Sequence, residues 1–312
     1  MTSIGRCTRI PRHSLLWALF FLVSPGFAFP TIARADWLLD ASALALRDDN
    51  VSGAADGYAK ADTIFSVSAA GGYYDQIAPY TGLAALVELE SENYSEYGGL
   101  NTVSGGLAIH LNHKFGVGLR APRLTASVSY RLKDFKDNHR DVTVFLAGFT
   151  GSSWLTERLK VAAGYQYDNS VSVNADAGHC KFSGYAAYLC DLGKYQSPYG
   201  GAGHSLSVQL AFLLTDADML TAGYRHRRGD VAVSSAPDAA LLAQSSALWP
   251  DWVFHDFTAY RIDAATNSVN VGVSRELARQ VSLNLDYLHH AAEAGNARYG
   301  NNVFRIGIAY SF

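Results

Sequence analysis

The chain has 312 residues, with 28 glycines, 18 tyrosines and 15 phenylalanines against two methionines and 17% charged residues. That composition disfavours a helix-rich soluble protein and suits many short strands, while a mean hydropathy of +0.01 is too polar for a helical membrane protein. A formal charge of −3 excludes a strongly basic nucleic-acid binder.

The first predicted element is a signal peptide over residues 1–35. Arg6, Arg9 and Arg12 make a positive n-region, and Leu15 to Val23 is an unbroken apolar stretch. Small residues at Ala33 and Ala35 fit a cleavage site, with Gly26 and Ala28 as a second possibility. The apolar stretch is too short to span a bilayer, which needs about 20 residues. Cys7 precedes it and so is no lipidation site. Residues 1–35 hold four arginines and no acids, so their removal takes the net charge from −3 to −7.

From residue 36 onward the dominant pattern is period-two alternation, the signature of strands with one apolar and one polar face. Leu206, Val208, Leu210, Phe212 and Leu214 alternate with Ser205, Ser207 and Gln209. Leu124, Ala126, Val128, Tyr130 and Leu132 alternate with Thr125, Ser127, Ser129, Arg131 and Lys133. Twelve strands are expected, at 36–47, 60–72, 80–90, 101–114, 122–134, 141–150, 158–169, 204–215, 219–229, 265–275, 280–290 and 302–312. Long polar connections (48–59, 170–203, 230–264, 291–301) fall on one side and short turns on the other. That layout predicts one all-β domain over 36–312, a transmembrane antiparallel β-barrel with lipid outside and water inside. Ten or fourteen strands are the alternatives. Phe145 and Phe149 oppose Val144 and Leu146 in the sixth strand, and 230–264 has room for an extra hairpin. Trp37, Tyr73, Tyr74, Tyr80, Tyr130, Trp154, Tyr224, Tyr260 and Tyr287 flank strands, where aromatic girdles would sit.

Two cysteines remain in the exported chain, Cys180 and Cys190, both in the 170–203 connection. An even count in an exported protein predicts a disulfide between them. With His179 they fall short of the four ligands of a usual zinc site, so neither metal nor cofactor is expected.

The last strand carries the most specific pattern. Phe304, Ile306, Ile308, Tyr310 and Phe312 share one face, and Phe312 is the final residue. Here the chain resembles bacterial outer-membrane β-barrel proteins, whose final strand commonly ends in Phe after alternating apolar residues. The resemblance implies the outer membrane as location, its lipid as surroundings, and recognition of this strand by the barrel-assembly machinery.

Catalytic residues are not expected. Asp216 and Asp218 fall in an inner turn and Asp137 and His139 in an outer loop, a membrane apart and unable to share a water. His204 and Ser205 are neighbours on a strand and so face opposite ways. His289 and His290 likewise diverge. The lumen is more informative. Glu88, Glu90, Arg131, Lys133, Asp168, Arg225, Arg227, Asp286 and Arg305 all fall on polar faces in the outer half of the barrel. Alternate strands lie roughly 10 Å apart, a gap that Arg and Glu side chains can bridge. Such a belt is either a selectivity constriction around a water path or an ion-pair network filling the interior. The expected function is a narrow channel for small polar solutes or ions. The alternative is a non-conducting structural or export-associated barrel whose outer loops bind a partner or surface polysaccharide.

Overall fold

A computed structural model of the chain describes residues 36–55, 57–174, 194–295 and 297–311. The expected signal peptide, Cys180, Cys190 and Phe312 lie outside the described residues.

Alternation builds thirteen strands in chain order: β1 (Asp36–Asp48), β2 (Asp62–Ala78), β3 (Thr81–Tyr94), β4 (Thr102–Lys114), β5 (Arg123–Phe135), β6 (Val142–Trp154), β7 (Leu159–Ser172), β8 (Gly201–Leu213), β9 (Asp218–Ser235), β10 (Ala247–Asp251), β11 (Phe257–Ala278), β12 (Val281–Ala294) and β13 (Ala297–Ser311). Twelve of them close into an antiparallel barrel. β9 pairs directly with β11, and β13 returns to β1 in a register running from Asp40↔Ser311 to Asp48↔Val303. Closure leaves no edge strand in the wall, so every spanning backbone group finds a partner without water. β10 stands outside this ring and pairs with the outer part of β11 (Ala247↔Arg261 to Asp251↔Phe257).

The exterior is apolar. Trp37, Val67, Leu89, Ile109, Leu206 and Phe304 are all about half exposed or more. In water that surface would be costly; against acyl chains it is the expected one. On β7 to β13, outward residues change type from the inner end outward. Val208, Val271, Leu285 and Ile306 give way to His204, Asn267, Tyr287 and Asn302. Tyr224 Oη donates to Asn267 Oδ1 at 2.7 Å, and His226 Nδ1 lies 2.9 Å from the same oxygen. Tyr287 and His289 meet Asn302 in the same way, at 2.7 and 2.9 Å. Such amphipathic groups mark the outer interface.

The twelve expected strands all exist, with changed ends. β6 is regular: Phe145 and Phe149 pair with Tyr130 and Ala126 and face outward, so Val144 and Leu146 point into the lumen. β2 continues to Ala78, and Tyr80, expected to open a strand, sits in the turn with φ +63°. Segment 230–264 does hold the extra hairpin, formed by β10 and the first residues of β11 (Ala247↔Arg261 to Asp251↔Phe257), although it adds no strand to the wall. β9 and β11 extend through it, flanking α1 (Ala239–Gln244) and β10. The Asp238 carboxylate caps α1, accepting from the amides of Ala240 and Leu241 at 2.8 and 2.9 Å. Tyr260 belongs to no girdle: it is buried with Val233, Leu241, Leu248, Ile262, Ala264 and Ala294 in a small core at the outer end. Tyr74 faces inward, its hydroxyl over Gly82.

Candidate functional site: the charged lumen and its covered mouth

All nine predicted belt residues lie on inward-facing positions of β3, β5, β7, β9, β12 and β13, opposite in parity to the exposed apolar residues. Arg131 Nη2 lies 2.7 Å from Glu88 Oε2 and its Nη1 lies 3.1 Å from Glu90 Oε2. Arg227 grips Asp168 with both arms, Nη2–Oδ2 at 2.6 Å and Nε–Oδ1 at 3.0 Å. Each bridge crosses one intervening strand, and each crosses it at a glycine. Glu88 and Arg131 both pair in register with Gly106 of β4. The Arg227 guanidinium lies 2.5 Å from where a Cβ on Gly203 of β8 would stand. Only a residue without a side chain leaves that path free.

Asp286 and Arg305 are register partners on β12 and β13, yet they form no ion pair. The Asp286 carboxylate leans the other way, into the space a Cβ on Gly272 of β11 would fill, 2.1 Å from its Oδ1. Among the described residues, Arg225, Arg305 and Lys133 have no carboxylate within 4.0 Å. Arg305 Nε is buried without a hydrogen-bond partner. Glu88, Glu90 and Glu92 share one side of the lumen with Arg131 and Lys133. Around the ring of twelve, Arg225 on β9 stands six strands from Glu88 and Glu90 on β3, while Arg305 on β13 stands three strands from each of β3 and β9.

The described parts of the outer connections (49–55, 57–61, 95–101, 136–141, 173–174, 194–200 and 236–256) meet above the belt. Asp251, at the end of β10, has a side chain 0% exposed. It accepts Arg140 Nη2 at 2.5 Å, the Ser234 hydroxyl, and the amides of Val253 (3.0 Å) and Phe254 (3.4 Å). Arg140 comes from the connection between β5 and β6, on the far side of the ring from β11. β10 and its continuation therefore cross the mouth. The Arg140 guanidinium stacks 4.6 Å over the Tyr199 ring, and Tyr97 packs on Phe254 at 4.8 Å. Lys194 Nζ donates to the last carbonyls of α1, Leu242 at 2.8 Å and Ala243 at 3.3 Å. Burial raises the phenol pKa of Tyr97, Tyr195 and Tyr199 above the ordinary tyrosine value. Asp62 ties the layer to the wall, accepting amides of Thr63, Ser95, Glu96 and Tyr97.

Asp251, Arg140 and Tyr199 carry no periodic signal, and sequence reasoning missed them. The bridging glycines had a legible signal: Gly106, Gly203 and Gly272 stand on polar faces beside charged strands. The other sequence candidates remain apart. Asp137 and His139 lie in an outer turn, 3.0 Å from each other, while Asp216 and Asp218 lie at the inner end. His204 faces outward, 2.6 Å from Tyr165 Oη, and Ser205 is buried on the inner face. Phe304, Ile306 and Ile308 of the terminal strand are exposed on the outer face of the barrel.

No protein-family model matches the chain, and no curated protein matches it. Solved structures do. An outer-membrane channel from Pseudomonas putida F1 aligns over 93% of this chain and 100% of its own, at 12% identity and a TM-score of 0.54. The NanC porin aligns over 88% and 100%, at 9% identity and a TM-score of 0.46. The first likeness establishes the fold, that of bacterial outer-membrane β-barrels; the second is too loose to add to it.

Proposed function

We propose that this outer-membrane barrel is a narrow, non-enzymatic channel for small polar solutes or ions, with the nine belt residues as its constriction. The observation that carries the reading is the uneven pairing of the belt: Arg131 and Arg227 are held by acids, while Arg225 and Arg305 have no carboxylate within 4.0 Å among the described residues. Opposed charges across a water path orient dipolar solutes and make passage depend on a few side chains. The Pseudomonas putida protein of the same fold is itself described as a channel. Insertion of the purified barrel into planar bilayers tests the reading: steady ohmic steps, from the wild type or after Asp251→Ala loosens the outer layer, support it, and silence of both at all voltages rejects it.

The crossing of the mouth by residues 236–256 favours a second reading, a closed structural barrel whose outer layer is a docking surface. It predicts silence in the bilayer even after Asp251→Ala loosens that layer. A channel covered by the same layer would gain current.

A further inference from the structure

We infer that Arg225 and Arg305 form an anion-binding subsite in the lumen, for solutes bearing carboxylate or phosphate groups. This rests on the channel reading and names its substrate class. The belt's ion pairs leave these two guanidinium groups over. Arg131 is held by Glu88 and Glu90, and Arg227 by Asp168. Arg225 pairs in register with Ser207 and Ser268, neither of them charged. Arg305 stands between Leu46 and Asp286, and Asp286 turns toward Gly272 and Thr221. Between the two arginines, on β11 and β12, Ser268 Oγ lies 2.7 Å from His290 Nδ1.

Burying a guanidinium nitrogen without an acceptor costs free energy that an incoming oxyanion would recover. The planar fork of Arg suits a carboxylate or phosphate better than a point charge does. The arrangement also contains its own limit on affinity. Asp286 lies next door, and a transport site must release what it binds. Anions should therefore bind weakly and exchange fast.

Inorganic phosphate is the probe, added to the folded, detergent-solubilised full chain. Phosphorus-31 NMR line broadening reads binding without requiring conduction. Wild type should broaden the phosphate line, and the Arg225→Gln/Arg305→Gln variant should abolish at least tenfold of the effect. Arg225→Gln alone serves if the double variant loses its heat-modifiable folded band. In bilayers, phosphate should depress chloride current through wild type and leave the variant's current unchanged. No broadening with wild type overturns the subsite, even if the barrel conducts. Equal broadening by folded variants overturns it too. Broadening that the variants lose, from a barrel that never conducts, upholds the subsite and rejects the channel.

Discussion

Arg131 on β5 reaches Glu88 on β3 over the one residue that pairs with both, Gly106 on β4. A Cβ at Gly106 would stand 2.6 Å from the Tyr130 carbonyl oxygen and 3.1 Å from Arg131 Cβ. Gly106→Val should therefore push the β4–β5 pairing apart as well as obstruct the bridge. The expected cost is about 1–3 kcal/mol, the usual range for overpacking. It should appear as a lower urea midpoint for the folded band on a cold gel. A midpoint equal to wild type would mean that β4 and β5 pair in another register.

Asp251→Ala should loosen the outer layer and leave the wall intact. The side chain is fully buried and answers Arg140, Ser234 and two amides, so its loss leaves the Arg140 charge with Asp137 alone, 3.7 Å away, in a packed site. Breaking a buried pair from one side costs roughly 3–5 kcal/mol. The wall should not share that loss, because its twelve strands pair without β10. Hydrogen exchange should rise in 236–256 and 136–141 and stay slow in β3 to β6. Uniform acceleration throughout would show that the layer and the wall unfold as one unit.

High pH should act on the same layer. The phenols of Tyr97, Tyr195 and Tyr199 are neutral and partly or wholly covered, which raises their pKa in the folded state. A raised folded pKa contributes stability fully present below the unfolded value, about 10 for tyrosine, and lost as pH rises above it. Tyrosinate absorbance should thus show a late fraction beyond pH 10. Tyr199→Phe should shrink that fraction, since Tyr199 is the most deeply buried of the three. If the variant instead removes only absorbance that appears near pH 10, Tyr199 is not packed under Arg140.

Much of the wall was legible in residues such as Leu206, Val208 and Leu210, because lipid on one side and water on the other force strict alternation. β6 shows where that signal fails. Leu146 faces Asp168's strand inside a polar lumen, so both faces of β6 carry bulky apolar residues and parity alone cannot choose between them. The sign order of the belt was legible too, but its pairing was not. Whether Asp286 meets Arg305 or turns to Gly272 depends on rotamers and on a missing side chain on the next strand. The outer layer was least legible. Asp251 and Arg140 are 111 residues apart in the chain, and connections have no repeating face from which such a contact could be read.

Arg225 and Arg227 lie two residues apart on the same inward face of β9, yet their removal should have different consequences. Arg227 holds Asp168 through two bonds, and both side chains are only about one-fifth exposed (22% and 20%). Arg227→Ala leaves that carboxylate half-desolvated and alone, which costs about 1–3 kcal/mol. The folded band should weaken, and any current should turn more cation-selective. Arg225 has no carboxylate within 4.0 Å among the described residues, so Arg225→Ala strands no acid. Its folded band should match wild type. Its effect should appear in selectivity alone, as a reversal potential moved toward cations and most visible at low salt, where the Debye length is long. If the two variants lose stability equally, Arg225 also has a structural partner and the division of the belt into held and free arginines is wrong. If neither shifts the reversal potential of a conducting barrel, the ion path avoids β9 altogether.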